Sequence, residues 1–121
     1  MKSHWIEHQG KRIFYADYSQ FGDDHASLAA EVEQAVWALA AEPLKSVLVL
    51  ANFEGSEPTF ANLNVIRRLA PRSNSAVIKR ALLGLSSSSR FFMTTFSNVI
   101  GETPVAAFDN KEKALEWLIQ A

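Results

Sequence analysis

Four consecutive serines, Ser86 to Ser89, followed by Arg90, are the densest group of polar, potentially ligand-holding side chains in this chain of 121 residues. They follow an apolar run, Ala81 to Leu85, and precede an apolar helical pattern set by Phe92, Phe96, Val99 and Ile100. A strand that turns into a helix leaves the helix's first backbone N–H groups unpaired, and the helix dipole places partial positive charge there. A phosphate or carboxylate is stabilised at such a junction, and Arg90 adds a full cation. The same serines also suit N-capping and turn formation, and spacing alone leaves both readings open. As a ligand site the group comprises Ser86, Ser87, Ser88, Ser89 and Arg90, with Phe92 and Phe96 as its apolar wall.

A second hydroxyl pair, Ser56 and Thr59, flanks Glu57-Pro58 at the predicted start of another helix. These residues cap that helix or accept a phosphoryl group. Phosphate is favourable at a helix N-terminus, but Glu54 and Glu57 oppose it. His4 and His8 fall on one face of a predicted strand without an acidic ligand at fixed spacing, so no metal site is assigned. His25 reads as a surface residue in the first turn of a helix. Catalytic patterns are absent from the sequence: there is no Gly-x-Ser-x-Gly elbow, no His-Glu-x-x-His, no Walker lysine loop and no Gly-x-Gly-x-x-Gly. The strand at 47–51 ends in Ala51-Asn52, where a receiver-type phosphoacceptor would need aspartate. No catalytic residue and no cofactor is therefore assigned.

Composition narrows the classes further. The length suits one domain, residues 1–121, with a core large enough to need no staples. The absence of cysteine removes disulfides, thiolate chemistry and thiolate metal sites. No run approaches the roughly 18–20 apolar residues of a membrane span, so a soluble cytoplasmic protein is expected. Residues 1–60 hold four cations against nine carboxylates, and residues 61–121 hold eight against four. Five of those cations, Arg67, Arg68, Arg72, Lys79 and Arg80, lie close together. They read as solvated helix faces or as a docking surface for an acidic partner; without a domain-wide basic excess, nucleic acid is not the partner.

The elements that must position these groups follow from periodicity. Trp5–His8 and Ile13–Tyr18 flank Gln9-Gly10 and predict a hairpin. Asp23 and Asp24 sit at an N-cap and first turn, and Leu28, Val32, Ala35, Val36 and Leu39 form one helical stripe closed by Pro43. Val47–Ala51 reads as a strand buried on both faces. A second helix begins near Pro58, presents Phe60, Leu63, Ile66 and Leu69/Ala70 inward, and stops around Pro71. Residues 79–85 give the next parallel strand, expected beside 47–51. A third helix ends at Gly101, and a strand at 104–108 precedes a last helix. There Asp109 with Glu112 suggests a capping box, and Leu115, Leu118 and Ile119 face the core. The order is ββαβαβαβα: an α/β fold with a mixed, mostly parallel five-stranded sheet, an N-terminal hairpin and flanking helices.

This succession, with the ending TPVAAFDNKEKALEWLIQA, resembles the STAS fold in its SpoIIAA-like branch of small stand-alone bacterial proteins. The residues that carry the resemblance are Phe108, Asp109, Ala114, Trp117 and Leu118. It implies a non-catalytic regulatory or ligand-sensing module that recognises a partner protein or small anion at helix N-termini. It also implies a phosphorylatable serine after the central strand, in an Asp-Ser-Ser-Gly-like context. Here that region reads Asn52-Phe53-Glu54-Gly55-Ser56-Glu57-Pro58-Thr59, with hydroxyls at Ser56 and Thr59 but without that pattern. The fold further resembles the CRAL-TRIO domain, which implies an apolar ligand, lipid or fatty acid, as the alternative. Phe91 and Met93 beside Phe92 and Phe96 leave little of the third helix polar. Trp37 and Trp117 are displaced from their helices' apolar stripes, which points to wide-faced helices, a pocket, or a homodimer surface.

Overall fold

The computed structural model describes residues 1–57, 59–85 and 103–120. Strands β1 (His4–His8) and β2 (Lys11–Asp17) form the hairpin, with His8 opposite Lys11. Gln9 and Gly10 both take positive φ, 49° and 79°, the signature of the two-residue turn whose twist matches a hairpin. Helix α1 (His25–Ala40) is capped by Asp24, whose carboxylate accepts from Ser27 N at 3.1 Å. Strand β3 (Val47–Asn52), helix α2 (Phe60–Leu69) and a 3₁₀ turn (Ala70–Ser73) lead into strand β4 (Val77–Leu83). Strand β5 (Val105–Phe108) and helix α3 (Lys111–Ile119) follow.

The five strands lie in the order β1-β2-β3-β4-β5, with β1 antiparallel to β2 and the other neighbours parallel. The expected neighbours are indeed paired: Leu48 meets Lys79 and Asn52 meets Leu83. Side chains alternate between the sheet's two faces. Phe14, Val49, Ala51 and Leu82 pack with the α1 stripe and with Val65, Ile66 and Leu69 of α2. Ile13, Leu50, Ala81 and Leu83 pack on the opposite face with Ala114, Leu115 and Leu118 of α3. A helix on each side of β3 explains its unbroken apolar run.

Several expectations change. The fourth strand starts at Val77 and ends at Leu83, so Gly84 and Leu85 belong to the turn. The register slips between Val47↔Val77 and Leu48↔Lys79, making Ile78 the extra residue of a bulge. Phe60, assigned inward, is 87% exposed. The buried stripe of α2 is Asn62, Val65, Ile66 and Leu69, because Thr59 as N-cap puts Phe60 at the helix's first position, off that face. The cap of α3 is Asn110, which accepts from Lys113 N at 2.9 Å, one residue past the expected Asp109.

The basic cluster also divides. Arg67, Arg68 and Arg72 are exposed, but β4 sends Lys79 and Arg80 to opposite faces. Lys79 Nζ donates to the carbonyls of Trp117 (3.0 Å) and Gln120 (2.9 Å), a cation closing the C-terminus of α3. Arg80 is buried and donates from Nη2 to Ser73 Oγ (2.9 Å) and Asn74 Oδ1 (3.2 Å). Burial pulls its pKa down to about 10, with the nearby Tyr18 acting in the other direction. Two of the five cations therefore hold the structure together and leave only three for a docking surface.

Candidate functional site

A cleft of about 560 Å³ opens at the carboxyl ends of the parallel strands, lined by Tyr15 of β2, Asn52 of β3, Glu54, Leu83–Leu85 and Asp109–Lys111. Backbone geometry places it. In open α/β sheets the carboxyl ends of the strands carry the loops that connect to helices, and ligands bind there. Because α3 packs on the face away from α1 and α2, its N-terminus comes to the rim above Tyr15.

Polar groups in the cleft are held in fixed roles. Asn52 Oδ1 accepts from Glu54 N (3.0 Å), which turns its Nδ2 to donate to Tyr15 Oη at 2.9 Å. Among the described residues nothing accepts the Tyr15 hydroxyl proton, so that proton can be donated to a ligand. Lys111 Nζ lies 5.3 Å from the centre of the Tyr15 ring. The first N–H groups of α3 point the same way as its dipole, and Asn110 satisfies only the third of them. Glu54 and Asp109 place two carboxylates on the same rim, with Leu83 and Leu85 supplying apolar surface. The cleft thus offers donors, acceptors, both signs of charge and an apolar floor.

Glycine makes the rim possible. Gly84 has φ +80°, and a Cβ there would lie 2.3 Å from Glu54 N and 2.6 Å from Glu54 Cα. The hydrogen bond from Phe53 N to Leu83 O (2.9 Å) fixes that approach. Only glycine meets both demands, the left-handed backbone and the contact.

Ser86, Ser87, Ser88, Ser89, Arg90, Phe92 and Phe96 lie outside the described residues, as do the third helix and Pro58. Leu85, which lines the cleft, is the residue directly before Ser86. Thr59 caps α2, its Oγ1 accepting from Asn62 N at 3.1 Å. Ser56 does not cap a helix. Its Oγ donates to Tyr18 O (2.6 Å) and accepts from Phe21 N (3.1 Å), clasping the loop after β2 to the loop after β3. The buried Asn62 reinforces that clasp through Gly22 O (3.1 Å) and Glu57 O (2.8 Å).

Tyr15, Asn52, Asp109, Asn110 and Lys111 of the cleft were not identified as site residues from sequence. Tyr15 belongs to an alternating strand and Lys111 to a helix start, and neither carries a local signal of function. His4 and His8 lie apart in their contacts, His4 against Tyr15 (ring centres 5.3 Å) and His8 within 3.3 Å of a Glu116 carboxylate oxygen. Among the described residues no group of three or more His, Asp or Glu could hold a metal. Nor is any helix among them long and apolar enough to cross a membrane.

The five-stranded mixed sheet, its hairpin and its helices on both faces are a STAS/SpoIIAA-like fold. Among solved structures, an uncharacterized protein of the DUF3478 family with a SpoIIAA-like fold, from Shewanella loihica PV-4, is similar over 96% of this chain and 91% of its own. The two superpose with a TM-score of 0.66 at 15% sequence identity, a likeness of fold. No family profile and no curated protein matches the chain.

Proposed function

We propose that this protein is a non-catalytic binding module that recognises a segment of a partner protein in the cleft at the strand ends. The observation that carries this reading is the mixture on one rim: Lys111 and the Tyr15 hydroxyl as donors, Glu54 and Asp109 as acceptors, Leu83 and Leu85 beneath. A free small anion would gain from Lys111 and the α3 N-terminus but would meet the two carboxylates. A peptide brings its own N–H, C=O and mixed side chains, and so satisfies all of these groups at once.

The test is affinity capture from the source cells with the wild type, Lys111→Glu and the double variant Tyr15→Phe/Asn52→Ala, each confirmed folded by circular dichroism. A partner held by the wild type and released by both variants supports the reading. An unchanged set of partners refutes it. Leu83 and Leu85 on the floor, and the aromatic segment that follows them in the chain, favour a second reading as carrier of an apolar ligand. Native mass spectrometry distinguishes the two, since a carrier purifies with a bound lipid or fatty acid.

A further inference from the structure

On the other side of the sheet, the outward face of α1 carries a feature the cleft does not use. Trp37 is 69% exposed, although it is among the largest apolar side chains in the protein. Beside it runs a groove of about 150 Å³ lined by Glu33, Val36, Trp37 and Ala40 of α1 and by Leu69 and Arg72. Most of that lining is apolar, and an indole left in water there forgoes a large share of its burial energy.

The two charges that flank the groove decide what covers it. Helices α1 and α2 both run against the parallel strands, so their C-termini lie together at the strands' amino ends. Hydrogen bonds from Lys45 N to Ser75 O (2.8 Å) and from Ser46 N to Ala76 O (2.9 Å) join the two connections at that end. Arg72, just after α2, therefore sits near Ala40, and Glu33 lies nearly two helical turns further back along α1. Neither charge forms an ion pair with another described residue. The groove is thus acidic at one end, basic at the other, and has an aromatic knob between them.

We propose that this face pairs with a second copy of the chain in a two-fold antiparallel contact. The two-fold axis passes near Trp37, each indole covers the other copy's groove, and Glu33 of each copy meets Arg72 of the other. A two-fold contact must be self-complementary, and a surface carrying knob, groove and opposite charges at its two ends meets that requirement. The arrangement leaves the cleft free, because the cleft lies on the α3 side of the sheet. The inference is independent of the function proposed for the cleft.

Sedimentation velocity over a concentration series tests it. The wild type is expected to form dimers, and Trp37→Ala to weaken them by about thirtyfold, the loss of one aromatic anchor. Glu33→Arg and Arg72→Glu, each alone, bring like charges together twice and should weaken association by about a hundredfold. Mixed in equal amounts, those two variants regain the dimer, because every cross-pair is then opposite in sign. Circular dichroism and thermal midpoints close to the wild type show that each variant is folded. A wild type that stays monomeric throughout, a dimer that survives Trp37→Ala, or no recovery on mixing overturns the proposal.

Discussion

Replacing Gly84 by alanine tests whether the close approach of two loops builds the cleft. Alanine at φ +80° carries the strain of left-handed backbone, about 1–2 kcal/mol. Its Cβ would also lie 2.3 Å from Glu54 N, 2.6 Å from Glu54 Cα and 2.9 Å from Phe53 C, where real contacts do not fall below 3.0 Å. Those atoms are backbone, so relief requires shifting the end of β3 against the Phe53 N to Leu83 O hydrogen bond. Overpacking of that kind costs about 1–3 kcal/mol. The sum, about 2–5 kcal/mol, lowers the thermal midpoint of a domain this size by roughly 8–20 °C. Gly10→Ala is the matched control: its φ is +79°, but no atom of the described residues lies within 4 Å of the added Cβ, so it bears the backbone strain alone. Thermal and urea melts followed by circular dichroism measure both. If Gly84→Ala loses no more stability than Gly10→Ala, the steric argument is wrong and the cleft's rim is not held by that contact.

Glu31 gives a pH-dependent case. Burial alone would raise its pKa, but donors at Lys2 N, Ser3 N and Ser3 Oγ, each within 2.9 Å, outweigh it and hold the carboxyl below its ordinary value. Its stabilisation is therefore complete above the ordinary glutamate range and disappears as pH falls through the lower native pKa. Glu31→Gln should cost about 1–2 kcal/mol at neutral pH, with the gap to wild type closing in acid; a gap that persists unchanged at low pH contradicts this. Ser56→Ala removes both hydrogen bonds of the loop clasp and should cost about 1–2 kcal/mol in a chemical melt. Ser56→Asp should cost more, since its carboxylate would face the Tyr18 carbonyl beside Glu57. Were the aspartate variant more stable than wild type, the clasp would be a poor account of Ser56, and a phosphoryl switch there would gain support.

Much of the fold was legible in the sequence because it rests on local periodicity. The hairpin showed in Gln9-Gly10 between alternating runs, α1 in its spaced leucines and valines, and β3 in an apolar run with no polar break. Element order and the C-terminal motif together carried the resemblance to the STAS fold. Errors arose where a short pattern admits two phases. In α2, Phe60 fits an apolar stripe until the Thr59 cap fixes the helix's start and turns it to solvent. In β4, the bulge at Ile78 is invisible to a two-residue alternation, so nothing local showed that Lys79 would reach α3 or that Arg80 would be buried.

The cleft was the least legible part. Tyr15, Asn52, Gly84 and Lys111 come from four segments far apart in the chain, and each has an ordinary local role. The amino-acid sequence by itself determined which faces are apolar, where helices can start and where the backbone must turn, because these depend on neighbours within a few residues. Tertiary structure alone decided that α3 crosses to the second face and brings Lys111 over Tyr15, and that Trp37 stays in water beside an open groove. The reason is physical: strand register and helix docking are set by packing between distant segments, and no window along the chain contains both sides of such a contact.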